Sequence, residues 1–184
     1  MKKSDHKRPD YAIIITIINL KTRLELKTER QLYGNFKPEH YRLHFRYNDD
    51  RQTFAGHIVI SGKKIGRPSR RLTFHQKDLR ILNAKITRHD KNGDTVFELA
   101  RINHHRSFEQ VRLHSKHLLY PGTYKIVLNF FGKITATTRP TLEKTNLSES
   151  LKKLLGSGRA REIFPCIDEP EGQAKIMIIN YEQI

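Results

Sequence analysis

A lone cysteine followed closely by two carboxylates, Cys166 with Asp168 and Glu169, is the first group in the sequence whose types suit chemistry. A thiolate there would be a nucleophile if a histidine and an electropositive pocket stood beside it. The carboxylates work against that, because nearby negative charge raises a thiol pKa. Cys166 therefore reads as a buried structural residue. Asp168 and Glu169 would suit an acid–base pair, but adjacent side chains point apart, so one of them is expected to face solvent or cap backbone amides. Histidines form the second group. His40 and His44 stand four apart, as in the zinc motif H-E-x-x-H, but Tyr41 occupies the general-base position. On a strand, positions four apart lie about 13 Å from each other, too far for chelation. His104-His105 and His114/His117 lack a third ligand and read as solvated strand and loop residues. The third group is cationic. Lys63, Lys64, Arg67, Arg70 and Arg71 make a candidate anion-binding segment, with no aromatic inside it for base stacking. A solvated loop is the competing reading. No glycine-rich phosphate loop occurs.

The elements that position these residues read mainly as strands. His40–Tyr47 alternates, with Tyr41, Leu43, Phe45 and Tyr47 on one face. Thr53–Ser61, Leu72–His75, Leu79–Ile86, Thr95–Leu99, Phe108–Leu113 and Tyr124–Phe131 follow, with Asn48-Asp49-Asp50, Asn92-Gly93 and Pro121-Gly122 as turns. Short strands at regular spacing predict an all-β, antiparallel β-sandwich. One helix interrupts them: Asn146 caps it, Leu147, Leu151, Leu154 and Leu155 form its apolar face, and Gly156 ends it. Residues 1–34 read as an N-terminal arm of uncertain structure and 35–184 as the sandwich domain. In the arm, the apolar run Ala12–Leu20 is too short to span a bilayer and lacks a cleavage site, so a soluble cytoplasmic chain with no membrane span is expected.

Composition sets the partner classes. The formal charge is +16 over 184 residues, which would attract nucleic acid, anionic lipid or an acidic protein. The segment from Arg159 onward runs the other way, with Arg159, Arg161 and Lys175 against Glu162, Asp168, Glu169, Glu171 and Glu182, a net of about −2. A single cysteine excludes an internal disulfide and a multi-cysteine zinc site. No RNP, KH, helix-turn-helix or zinc-finger pattern occurs.

Arg161-Glu162-Ile163-Phe164-Pro165-Cys166-Ile167-Asp168-Glu169-Pro170, then Ala174-Lys175, resembles the A-R-x-x-F-P-C-x-D-E-P…K-A signature in the N-terminal β-sandwich domain of the aminopeptidase N family of zinc metallopeptidases. Four further segments resemble that domain in the same order: Lys37–Leu43 (P-x-H-Y-x-L), Thr53–Ile58 (F-x-G), Leu72–Leu79 (L-H-x-x-D-L) and Leu119–Ile126 with Phe131–Lys133 (P-G-x-Y…F-x-G). The resemblance covers about residues 36–178. It implies that Arg161, Phe164, Pro165, Cys166, Asp168, Glu169 and Pro170 hold a corner of a sandwich and do no catalysis. The family's catalytic motifs G-x-M-E-N and H-E-x-x-H do not occur in this sequence, so no metal or cofactor is expected here, and zinc enters only with a separate catalytic chain. Family members also carry a substrate-binding Gln and Glu just upstream of the signature; those positions hold Leu154 and Gly156. The family domain continues with strands beyond Ile179, so an unpaired sheet edge is expected to dock a partner. The resulting expectation is a non-catalytic binding or accessory module. The rivals are the N-terminal part of a split zinc aminopeptidase and a basic nucleic-acid-binding protein.

Overall fold

The computed structural model describes residues 32–183 apart from Asn92, so nearly all of the N-terminal arm, with its apolar run Ala12–Leu20, and Asn92 itself lie outside the described residues. Nine strands follow in chain order: β1 Phe36–Asn48, β2 Thr53–Lys64, β3 Ser69–His75, β4 Arg80–Asp90, β5 Gly93–Phe97, β6 Leu99–His105, β7 Gln110–Leu119, β8 Gly122–Lys133 and β9 Lys175–Gln183. They form a six-stranded sheet, β5-β4-β8-β2-β1-β9, and a three-stranded sheet, β3-β7-β6. The fold is thus an all-β sandwich.

Alternation sends every second side chain into the space between the sheets. Tyr41, Leu43 and Phe45 of β1, Phe54, Ile58 and Ile60 of β2 and Tyr124, Ile126, Leu128 and Phe130 of β8 line one side. Leu72 and Phe74 of β3 with Val111 and Leu113 of β7 line the other. Leu32 is buried in the same core, and Tyr33 packs against it. Phe45, Phe54 and Phe130 meet at centroid separations of 6.0 to 6.5 Å. Gly56 makes room for that cluster, since a Cβ there would sit 2.2 Å from the Phe130 ring.

Three features depart from the sequence reading. The single strand expected over Thr95–Leu99 is two, because the chain crosses from one sheet to the other at Glu98, whose carbonyl accepts from Lys116 N at 2.9 Å. β9 was not among the predicted strands, and it pairs parallel with β1, whereas the other strand pairs among the described residues are antiparallel. A parallel neighbour needs a long crossover, which residues 134–174 supply. Within that crossover lie two helices, α1 Arg139–Leu142 and α2 Leu147–Leu154. The sequence predicts only α2. Asn146 Oδ1 accepts from Glu149 N at 3.2 Å and caps it. α2 buries Leu147 and Leu151 and donates from Ser148 Oγ to the Ile176 carbonyl of β9 at 3.2 Å. No helix among the described residues is long and apolar enough to cross a membrane.

Candidate functional site

The Arg161–Pro170 stretch of the signature lines no part of the groove described below. It folds inward at the end of the three-stranded sheet, where Cys166 continues the ladder of β3: His75 N donates to Cys166 O at 2.7 Å and Cys166 N to His75 O at 3.1 Å. Phe164 packs edge-on against Tyr41, centroids 5.5 Å apart, and Tyr41 Oη accepts from Ile167 N at 2.9 Å. Pro165 is buried, whereas Pro170 is exposed and starts a 3-10 turn over Pro170–Gly172.

Asp168 and Arg161 are the electrostatic centre of this corner. One Asp168 carboxylate oxygen accepts from Gly156 N at 2.7 Å. The other accepts from Arg161 N and Arg161 Nε, both at 3.2 Å. Arg161 Nη2 donates to the Asp168 carbonyl at 3.1 Å and Nη1 to Glu109 at 3.3 Å. Lys77 bridges Glu109 and Glu162 at 3.4 and 3.1 Å, and its charged form is favoured, chiefly by the Glu162 hydrogen bond. Of the two roles expected for one of the adjacent carboxylates, facing solvent or capping backbone amides, both residues take the second: Asp168 is 3% exposed and Glu169 2%. Glu169 accepts from Tyr33 N at 3.1 Å. Both carboxylates therefore serve backbone amides, an arrangement open to buried acids because charge-assisted hydrogen bonds offset their desolvation.

Burial pushes the Cys166 thiol well up, and Asp168 adds to the shift while Arg161 opposes it. His75 is driven down to about 3 by burial first and by the Arg161 charge second. Its Nδ1 accepts from Asp168 N at 3.1 Å, so the neutral ring carries its proton on Nε2, which has no partner among the described residues. A protonated thiol beside a neutral, occupied imidazole is no nucleophile–base pair. Zinc does not fit this donor set either: no three His, Cys, Asp or Glu side chains converge to hold a metal among the described residues.

The positions just upstream are equally unlike a substrate edge. Leu154 is half-buried against the core. Gly156 has φ +84, and a Cβ there would lie 3.1 Å from the Glu169 carbonyl oxygen. Beside this turn a groove of about 790 Å³ runs between the start of β1, the start of β9 and the end of α2, with His40, Arg42, Lys152 and Ile176 among its walls.

The five cations of the candidate anion-binding segment fall on two strands and the connection between them. Lys63 and Lys64 belong to β2 and Arg70 and Arg71 to β3, with only residues 65–68 between the strands. Lys63 pairs with Glu39 at 3.3 Å. Lys64 is 2% exposed, donates to the Arg67 carbonyl at 2.7 Å, and has its ammonium pKa lowered by burial. Arg67, Arg70 and Arg71 remain exposed. Sequence reasoning passed over Tyr41, His75, Gln76 and Glu109 as members of the signature corner. The signal for two of them was present, since Tyr41 and His75 fall in segments that resemble the same domain as the signature.

A two-sheet sandwich locked at one corner by a buried Arg–Asp pair defines a scaffold domain. The profile of the Peptidase M1 N-terminal domain matches residues 37–179, and the chain belongs to that family. It is 30% identical over 146 residues to aminopeptidase N of Lactococcus lactis subsp. lactis, covering 76% of this chain and 15% of that protein. It is 25% identical over 151 residues to glutamyl aminopeptidase of Bos taurus, covering 77% of this chain and 16% of that protein. The chain thus spans less than a fifth of the length of the curated relatives it matches.

Proposed function

We propose that this domain is a non-catalytic binding or accessory module of the aminopeptidase N family. One observation carries the reading: Arg161, Cys166, Asp168 and Glu169 of the signature are all buried, with the Cys166 backbone paired to that of His75 and the Asp168 carboxylate paired to Arg161. Leu154 and Gly156, at the substrate-contacting positions of the family, support it, because neither supplies a polar side chain. A single thiol, buried and uncharged, fits a reducing cytoplasm. The purified chain, incubated with aminoacyl amides with and without zinc, is expected to release no product above the buffer rate; zinc-dependent hydrolysis overturns the reading.

A second reading has its own observation. β9 is an edge of the six-stranded sheet and exposes Met177 and Ile179. Such an edge is a template for docking another polypeptide. In this reading the domain is the N-terminal part of a zinc aminopeptidase whose metal centre lies in a different chain. Affinity purification from the native cell would recover a chain carrying H-E-x-x-H, and Met177→Lys with Ile179→Lys would release it. Recovery without such a chain removes this reading.

A further inference from the structure

The outward face of the three-stranded sheet holds cations in register. Arg71 of β3 lies opposite His114 of β7, which lies opposite Arg101 of β6. In the adjoining row Arg112 stands between Thr73 and Asn103. The groups sense one another: His114 feels Arg101, Arg71, Arg112 and His105, after burial, and every one of these lowers its pKa. Arg112 is disfavoured as a cation by burial and by Arg71. Its Nη1 lies 3.0 Å from His105 Nε2.

Among the described residues no carboxylate pairs with the arginines of this face. The nearest acids along these strands are committed elsewhere: Glu98 pairs with Lys116, and Glu109 pairs with Lys77 and Arg161. Among the described residues Arg71, Arg101 and Arg112 form no ion pair, and Arg112 Nε and His114 Nε2 are buried atoms without a hydrogen-bond partner. Arg71 and Arg101 flank His114 in one row and Arg112 stands in the next, so the three cations are close neighbours without being directly opposed. Like charges gathered on one sheet face oppose folding.

An aromatic stands at the end of the same face. Phe108 is 50% exposed, with the Arg112 guanidinium 6.0 Å and the His105 ring 6.1 Å from its centroid. Cations that can take backbone phosphates beside an exposed ring that can take a base are the two parts of a single-strand nucleic-acid platform. We propose that this face, with Arg71, Arg101 and Arg112 on phosphates and Phe108 under a base, binds single-stranded nucleic acid. The site is distinct from the Lys63–Arg71 segment singled out by sequence; it shares only Arg71 with it. The assignment uses no residue of the signature and stands whether or not the accessory role holds.

The test is fluorescence anisotropy of a labelled twelve-nucleotide oligothymidylate with the full chain, titrated with sodium chloride. Three phosphate contacts predict a slope of log affinity against log salt of about −2. Arg71→Gln/Arg101→Gln/Arg112→Gln is expected to weaken binding by at least about tenfold and to flatten the slope. The charge-matched variant Arg80→Gln/Lys85→Gln/Lys125→Gln, on the other sheet, is expected to bind as wild type. Phe108→Ala weakens binding about fivefold or more with the slope unchanged. Thermal melting of the triple arginine variant guards against misfolding, since removing like charges is expected to preserve its Tm. Equal losses in the two triple variants mean diffuse attraction and overturn the site. So does the absence of binding at low salt. Competition by polyglutamate as effective as by the oligonucleotide reassigns the face to an acidic protein, and displacement by equimolar inorganic phosphate reduces it to a single-anion site; either result overturns the proposal.

Discussion

Cys166 and His75 exchange backbone hydrogen bonds at 2.7 and 3.1 Å, and that pairing fixes the imidazole where solvent cannot charge it. In the unfolded chain a histidine titrates near pH 6.5, whereas His75 in the fold titrates at about 3. Below pH 6.5 the unfolded state binds a proton that the folded state refuses. The contribution of His75 is therefore complete above the unfolded pKa and is lost as pH falls toward the folded one. By pH 4.5 the loss amounts to about 2 to 3 kcal/mol. Urea unfolding at pH 7 and pH 4.5 checks it. His75→Asn, which keeps an acceptor for Asp168 N, is expected to be less stable than wild type at pH 7 but to lose less on acidification. His104 and His114, also shifted down by burial, titrate in both proteins and cancel in the difference. Parallel loss in the two proteins would clear His75 of this role. The signature's identity was legible from residue types alone. The burial of Cys166 was legible as well, but that of both carboxylates was not: adjacent side chains on a strand point to opposite sides, whereas Asp168 and Glu169 lie outside any strand and both accept from backbone amides.

At the scale of elements, periodicity located the strands whose two faces differ. β1, β2 and β8 alternate cleanly because one face meets the core and the other meets water. β5 and β6 ran together in the sequence because the sheet-switch at Glu98 carries no glycine or proline to mark it. β9 escaped because its partner is set by tertiary contact: it lies parallel to β1 only after residues 134–174 have carried the chain across. Those residues include the turn at Gly156, where the chain departs from the family. Restoring a carboxylate with Gly156→Glu would require a side chain at φ +84 and a Cβ 3.1 Å from the Glu169 carbonyl. The left-handed conformation alone costs about 1 to 3 kcal/mol for a non-glycine residue. The variant is expected to lower the urea midpoint accordingly, whereas Lys153→Ala, on the exposed side of α2, stays within about 0.5 kcal/mol of wild type. A neutral Gly156→Glu would mean that the turn relaxes freely and that the departure at this position is one of sequence only.

For the molecule as a whole, counting residues gave the sign of the field but not its distribution. Many acids are consumed in pairs, Glu39 with Lys63, Asp49 and Glu143 with Arg139, Glu98 with Lys116, and Asp168 with Arg161. The excess of +16 is left on cations such as Arg71, Arg101 and Arg112. Net charge of this size keeps a protein soluble but destabilises its compact state by self-repulsion. That repulsion acts between exposed groups farther apart than a contact, where salt screens it: the Debye length falls from about 30 Å at 0.01 M to about 10 Å at 0.1 M. Surface pairs weaken under the same screening, but each contributes only about 0 to 1 kcal/mol. Among the described residues the cations outside these ion pairs outnumber the pairs, so their repulsion is expected to outweigh them. Tm is therefore expected to rise between roughly 0.02 and 0.2 M sodium chloride, by about 2 to 4 °C for each kcal/mol of repulsion removed. The rise is expected to shrink in the Arg71→Gln/Arg101→Gln/Arg112→Gln variant, which carries three fewer cations on one sheet face. A Tm that is flat or falls with salt would show that the ion pairs, and not the unpaired cations, dominate the electrostatics of folding.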